Sequence, residues 1–305
     1  MRFLGLISLL CFSLLYGRVE FIRFTTPLEI KSYLLIERFA RIEDKKVIAT
    51  RLIVLSNNRR LCLCIDVENL TTSLYPEKNL YFIDFSNFTN TLYIKALNFF
   101  SSNKVTFGET NKSFISNSER KKILLTTDLC PSTNRLDYEF YNLLDNKLPF
   151  IIFFSGEWIT NHRMELSWIM RKNLNFLAGN HTYHHHIIKD NFSEEKLTTE
   201  ITNTEVEMLK SGLIPSCFFR FPGLKYKTEH IKTLTKLNLI PLSVNFWAGQ
   251  KYIPENSILL THSNGNLKVE VKLFKKFLIS SNQKIKNGEI EFITPAEWLK
   301  LKNPR

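Results

Sequence analysis

Two patterns of apolar and polar positions divide the chain. Over residues 18–118 the apolar residues fall in short runs bounded by turn formers. Segments 46–55 (KVIATRLIVL) and 60–67 (RLCLCIDV) predict two strands joined by the polar turn Ser56-Asn57-Asn58, and 80–85 (LYFIDF) predicts a third. Residues 104–119 are polar and predict a linker. From residue 121 the pattern alternates. Strands are predicted at 123–127, 150–154, 176–178, 217–221, 240–244, 258–260 and 292–294. Helices are predicted between or after them at 134–147, 158–172, 193–212, 228–237 and 267–280, with a last one opened by Pro295. Such alternation predicts a parallel α/β sheet or barrel, here preceded by a smaller β-rich region.

The first residues set an expected compartment. Met1-Arg2, an apolar stretch over 3–16 and the small Gly17 have the layout of a secretory signal peptide covering residues 1–17. The expectation is therefore a secreted or periplasmic protein. No later apolar run approaches the length of a membrane span, so none is expected after leader removal. A hydrophobic content of 44% excludes a disordered chain, and five cysteines in 305 residues exclude a disulfide scaffold. Cys62 and Cys64 share one face of their strand and read as two small buried residues or an oxidised pair, rather than as metal ligands. A Cys130–Cys217 disulfide is one of the pairings open to an exported chain. The excess of 41 Lys+Arg over 29 Asp+Glu gives a net charge of +12. The basic residues are scattered and form no recognition motif, so nucleic acid is not an expected partner. An anionic envelope polymer suits a basic exported chain. Oligomeric state is not encoded in any pattern found.

Polar residues of chemical interest cluster where the predicted strands end, which is where parallel α/β folds place their ligands. Asp128 ends the first strand of the α/β region. The run Asn180-His181-Thr182-Tyr183-His184-His185-His186 follows the third, Arg220 ends the fourth, Asn245-Phe246-Trp247 follows the fifth and His262 ends the sixth. Four histidines within six residues point to a divalent transition metal, most naturally zinc. His181 and His185 are four apart, so one helical turn would set both on one face.

In order, the chain reads Thr126-Thr127-Asp128-Leu129-Cys130-Pro131, His181-Thr182-x-x-His185, Arg220-Phe221-Pro222-Gly223 and Leu260-Thr261-His262. Over residues 121–301 this resembles the polysaccharide deacetylase domain (NodB homology, carbohydrate esterase family 4), whose motifs run T-F-D-D, H-[S/T]-x-x-H, R-x-P and L-x-H. The resemblance implies a distorted, incomplete (β/α) barrel over residues 119–303, following a β-rich region and linker at 18–118. It also implies metal-dependent removal of acetyl groups from a cell-envelope polysaccharide such as peptidoglycan, with N-acetyl amides the main substrates and O-acetyl esters a further class. By position, His181 and His185 would bind the metal, Asp128 would be the catalytic base, Arg220 would orient it and His262 would be the acid. Tyr183, Pro222 and Trp247 are the candidate substrate contacts. The chain departs from the pattern at Leu129, where the family carries a second, metal-binding aspartate. Asp128, His184 and His186 are the candidates for the third ligand. The same departure motivates an alternative reading, a glycan-binding protein on this fold without turnover.

Overall fold

A computed structural model describes residues 25–104, 106, 120–144, 148–188, 192–250 and 252–302. The expected signal segment and most of the expected linker lie outside these residues.

The first part is an antiparallel sheet. Strands β1 (Ile30–Ile42), β2 (Lys45–Leu55), β3 (Arg60–Asp66), β4 (Thr72–Pro76) and β5 (Tyr81–Phe82) pair in the order β4-β3-β2-β1-β5. Strand β1 has no prediction behind it, because its burial alternates irregularly and it is broken by register shifts against β2. The strand expected at 80–85 shrinks to Tyr81–Phe82. Helix α1 (Leu92–Asn103) follows and buries Tyr93, Leu97 and Phe100.

The second part is a parallel sheet of strands β6 (Lys121–Leu129), β7 (Phe150–Phe154), β8 (Phe176–Asn180), β9 (Pro215–Phe219), β10 (Ile240–Pro241), β11 (Phe246–Trp247) and β12 (Ser257–His262). Their order is β10-β9-β8-β7-β6-β12-β11, and β13 (Ile290–Phe292) adds to the start of β6. Strands β10 and β11 do not pair, so the barrel is incomplete. The connecting helices are α2 (Tyr138–Asn142), α3 (Gly156–Asn161), α4 (Arg163–Arg171), α5 (Glu194–Lys210), α6 (Thr228–Lys236), α7 (Lys268–Lys286) and α8 (Pro295–Lys302). The single helix expected over 158–172 is two, broken at His162, whose φ of −125° and ψ of 44° are not helical.

Alternation along β6 decides which core each residue enters. Ile123, Leu125 and Leu129 join one buried cluster with Phe154, Trp158 and Phe274. Leu124 joins the other, with Ile151, Phe153, Phe218 and Ile258. That second cluster does not stop at the α/β part: it continues through Ile48, Ile65, Phe88, Tyr93 and Phe100 of the N-terminal part. Polar contacts seal the same junction. Buried Arg51 on β2 pairs with Glu205 on α5 through Nε at 2.8 Å and Nη2 at 2.9 Å. The Tyr33 hydroxyl donates to the same carboxylate at 2.7 Å. Arg51 Nη1 also donates to the carbonyls of Thr50 and Leu237. Thr72 donates to the carbonyl of Pro215, and Tyr93 to that of Asn238.

Candidate metal-dependent active site

The site grows from the carboxyl end of β6. Thr126 Oγ1 donates to the carbonyl of Leu259 at 2.8 Å, and Thr261 Oγ1 donates to the carbonyl of Thr126. Thr127 shares a 2.9 Å hydrogen bond with Ser263. These buried bonds lock β12 to β6 in the register that sets His262 beside Asp128. The threonines are therefore strand locks that leave the chemistry to their neighbours.

Asp128 is buried and clamped. Arg220 Nη1 donates to Asp128 Oδ1 at 2.6 Å, while Oδ2 lies 3.6 Å from His181 Nε2. Arg220 is fully buried at the exit of β9. Its other nitrogens donate to the carbonyls of Leu242 and Ser243, and its guanidinium lies 4.3 Å from the centre of the Phe153 ring. Gly179 makes room for that ring: a side chain there would meet Phe153 Cδ1 at 2.5 Å. Burial alone would raise the Asp128 pKa, but the charge and hydrogen bond of Arg220, with the imidazole of His262 nearby, outweigh it and hold the carboxyl below its ordinary range.

His181 and His185 meet through a loop, which corrects the expected helical turn. Residues 181–188 carry no helix, and Thr182 (φ 64°) and His185 (φ 57°) both adopt left-handed backbone. For β-branched Thr182 that conformation costs about 1–3 kcal/mol, the kind of strain found at functional sites. Surrounding bonds impose it. Thr182 N–H donates to Asn180 Oδ1, and its carbonyl accepts from Gly156 N–H. Farther along, Glu200 on α5 accepts from the backbone N–H groups of Tyr183 and His184 and from His184 Nδ1. The result sets the His181 and His185 rings 4.7 Å apart. His181 Nδ1–H donates to the carbonyl of Arg220 at 2.8 Å, which leaves Nε2 as the free lone pair. Burial pushes the His181 pKa down to about 3 against the pull of Asp128, and also lowers that of His185. Both rings are thus held neutral, the form that binds metal.

His262 is set up in the opposite sense. Its Nδ1 and its backbone N–H both donate to Glu270 Oε2, at 2.9 and 2.8 Å. Burial disfavours the imidazolium, yet the Glu270 hydrogen bond and the Asp128 charge prevail and raise the pKa. This carboxylate comes from the first turn of α7, eight residues beyond His262. Its one sequence signal is an acid in the first turn of the helix that leaves the rim.

The candidate substrate contacts divide. Trp247 is exposed on β11, in register with Leu260. Tyr183 is half-buried, its ring lies over Gly156 and its hydroxyl pairs with Thr160. Pro222 is buried at the start of a short 3₁₀ turn. No disulfide joins Cys130 and Cys217: the four described cysteines are free thiols, and Cys217 Sγ donates instead to the carbonyl of Leu70.

Two groups of donors among the described residues have metal-binding spacing: Cys130 with His181 and His185, and His184 with His186 and Glu200. The first lies on the Asp128 rim, and its neutral imidazoles and thiol suit a divalent transition metal.

Comparison with known proteins agrees with this geometry. The family description "Polysaccharide deacetylase" matches residues 116–241. Among solved structures, Bacillus subtilis PdaA, a family 4 carbohydrate esterase, is 14% identical, with 68% of this chain and 90% of that one covered and a TM-score of 0.52. A family 4 carbohydrate esterase from Bacillus anthracis is 19% identical over 68% of this chain and 92% of its own, with a TM-score of 0.48. A family 4 pseudoenzyme from the same organism is 15% identical over 59% and 66%, with a TM-score of 0.45. The parallel sheet, the ordered motifs and the family match together identify a polysaccharide deacetylase domain of the NodB-homology type in this chain.

Proposed function

We propose that this protein is an exported, metal-dependent deacetylase that removes acetyl groups from a cell-envelope polysaccharide, chiefly from N-acetylated sugars such as those of peptidoglycan. The observation that carries this reading is the opposed tuning on one rim. The Arg220 ion pair favours the ionised form of Asp128, while the Glu270 hydrogen bond favours the protonated form of His262, in register beside it. A matched base and acid are what amide hydrolysis needs.

A divalent ion held by His181 and His185 would supply a Lewis acid and a water of lowered pKa, about 7 on zinc. The chain's own groups do the rest. Asp128 accepts the proton of the attacking water as the new C–O bond forms. His262 gives its proton to the sugar nitrogen as the C–N bond breaks, so the amine leaves neutral and acetate is released. Glu270 stabilises the imidazolium before that transfer. Trp247, exposed near the rim, offers a ring face for a sugar, and Tyr183 and Pro222 shape the loops around the two histidines and Arg220. The net positive charge favours approach to an anionic polymer.

The test is acetate release from peptidoglycan and from chitin oligomers by the full chain loaded with Zn²⁺ or Co²⁺. Release that is lost in Asp128→Asn is expected. Absence of release from a metal-loaded chain overturns the reading for those substrates. One observation favours a second reading, a glycan-binding protein without turnover: Leu129, in the position of the family's ligand aspartate, is fully buried. Glycan affinity unchanged by His181→Ala and Asp128→Asn, with no acetate released, would select that reading.

A further inference from the structure

The third metal ligand is where this chain departs most from its family, and the geometry answers the question that Leu129 raises. Leu129 is fully buried among Phe154, Trp158 and Phe274, on the face of β6 opposite to Asp128. No donor enters the site from that position. The next residue lies just beyond the end of β6, and its thiol groups with the His181 and His185 rings on the Asp128 rim. That residue is Cys130.

We propose that Cys130 is a direct metal ligand, so that the site is a thiolate–bis-imidazole centre formed by Cys130, His181 and His185. This rests on the metal-dependent reading above. The ligand atoms of the three residues lie within 4.8 Å of one another. The other candidates are engaged elsewhere. His184 Nδ1 is bound to Glu200 at 2.7 Å, His186 stacks on the His184 ring, and both belong to the separate group around Glu200. Asp128 has one oxygen taken by Arg220, which keeps it as a base beside the centre. Cys130 is also the one described cysteine with partial exposure; Cys62, Cys64 and Cys217 are buried. Three protein ligands and one open position form the usual catalytic zinc set. Exchanging a carboxylate for a thiolate turns the site towards borderline-soft ions, Zn²⁺ and Co²⁺, and away from Mg²⁺ and Mn²⁺. On binding, the S–H bond breaks, an S–metal bond forms and the proton passes to solvent.

The experiment is a Co²⁺ titration of the full chain after EDTA treatment. One equivalent is expected to produce a sulfur-to-cobalt charge-transfer band in the near ultraviolet. Cys130→Ser should remove the band and weaken Co²⁺ binding by at least about 100-fold, the upper end of what loss of a supporting group costs. Stoichiometric binding that depends on His181 but gives no such band overturns the proposal and leaves the hydrolase reading intact. No Co²⁺ binding at all overturns both. A band without acetate release keeps Cys130 as ligand and sinks the hydrolase. Should Cys130→Ser fail to fold, alkylation of the wild type decides: one equivalent of Zn²⁺ must protect Cys130 from iodoacetamide, and undiminished labelling overturns the proposal.

Discussion

Replacing Glu205 by Gln tests whether the N-terminal sheet and the deacetylase domain are one folding unit. Both partners of the Arg51–Glu205 pair have side chains only 2% exposed. Glu205 accepts from Arg51 Nε, Arg51 Nη2 and the Tyr33 hydroxyl, so it neutralises a guanidinium whose remaining hydrogen bonds among the described residues go to the carbonyls of Thr50 and Leu237. Two opposite charges about 4 Å apart interact by about 4 kcal/mol at an effective dielectric of about 20. Removing one partner of a buried pair costs about 3–5 kcal/mol, because the other charge is left without compensation. No discount for solvent screening applies at this burial. The loss is a large part of an ordinary stability of about 5–15 kcal/mol. Urea unfolding followed by tryptophan fluorescence and by far-ultraviolet circular dichroism should show one coincident transition, shifted by about 3–5 kcal/mol in Glu205→Gln. The double variant Arg51→Met/Glu205→Leu should cost less than the two singles together, with a coupling above about 2 kcal/mol. Additive single effects, a Glu205→Gln cost under about 1 kcal/mol, or two separate transitions would refute the reasoning.

Further outcomes follow from the site. In Glu270→Gln, His262 loses the group that raises its pKa, so the alkaline limb of the activity profile should move to lower pH, because the acid works only while protonated. A limb that stays in place would remove His262 from that role. Arg220→Lys keeps the charge but loses the grip on the Leu242 and Ser243 carbonyls; misplacing Asp128 should lower acetate release by roughly 100-fold. Activity within a factor of about two of wild type would count against orientation by Arg220. Leu129→Asp restores the family's residue but should not restore its site, since position 129 enters the core. It should cost about 3 kcal/mol or more in urea unfolding and gain no metal affinity. Tighter metal binding at unchanged stability would show that residue 129 can turn to the rim.

The fold class and the rim were legible because their signals are local. Asp128, His181, His185, Arg220 and His262 lie at or just beyond strand ends that apolar runs mark plainly. What was hidden depends on geometry across distance or within loops. Glu270 is invisible as a partner of His262 until the turn after β12 folds α7 back on it. The His181–His185 spacing suggests a helix, but capping bonds from Asn180 and Glu200 select a strained loop, which the spacing does not report. Cys130 was readable in principle, as a thiol directly after the strand that ends with Asp128-Leu129, opposite the histidine run that follows β8. The neighbouring Leu129 drew attention because a comparison by position ignores which face a residue occupies.

The Arg51 junction also sets a timetable. Its partner Glu205 lies 154 residues farther along the chain and the Leu237 carbonyl 186 farther. At synthesis rates of about 5–20 residues per second, β2 waits roughly 10–40 s for the last of these groups to emerge. For most of that interval Ile53, Leu55, Leu61 and Leu63 lack their cover from Leu209 and Ile214. The nascent N-terminal segment is thus a natural client for holding factors, and a chain kept unfolded until synthesis is complete meets all its partners at once.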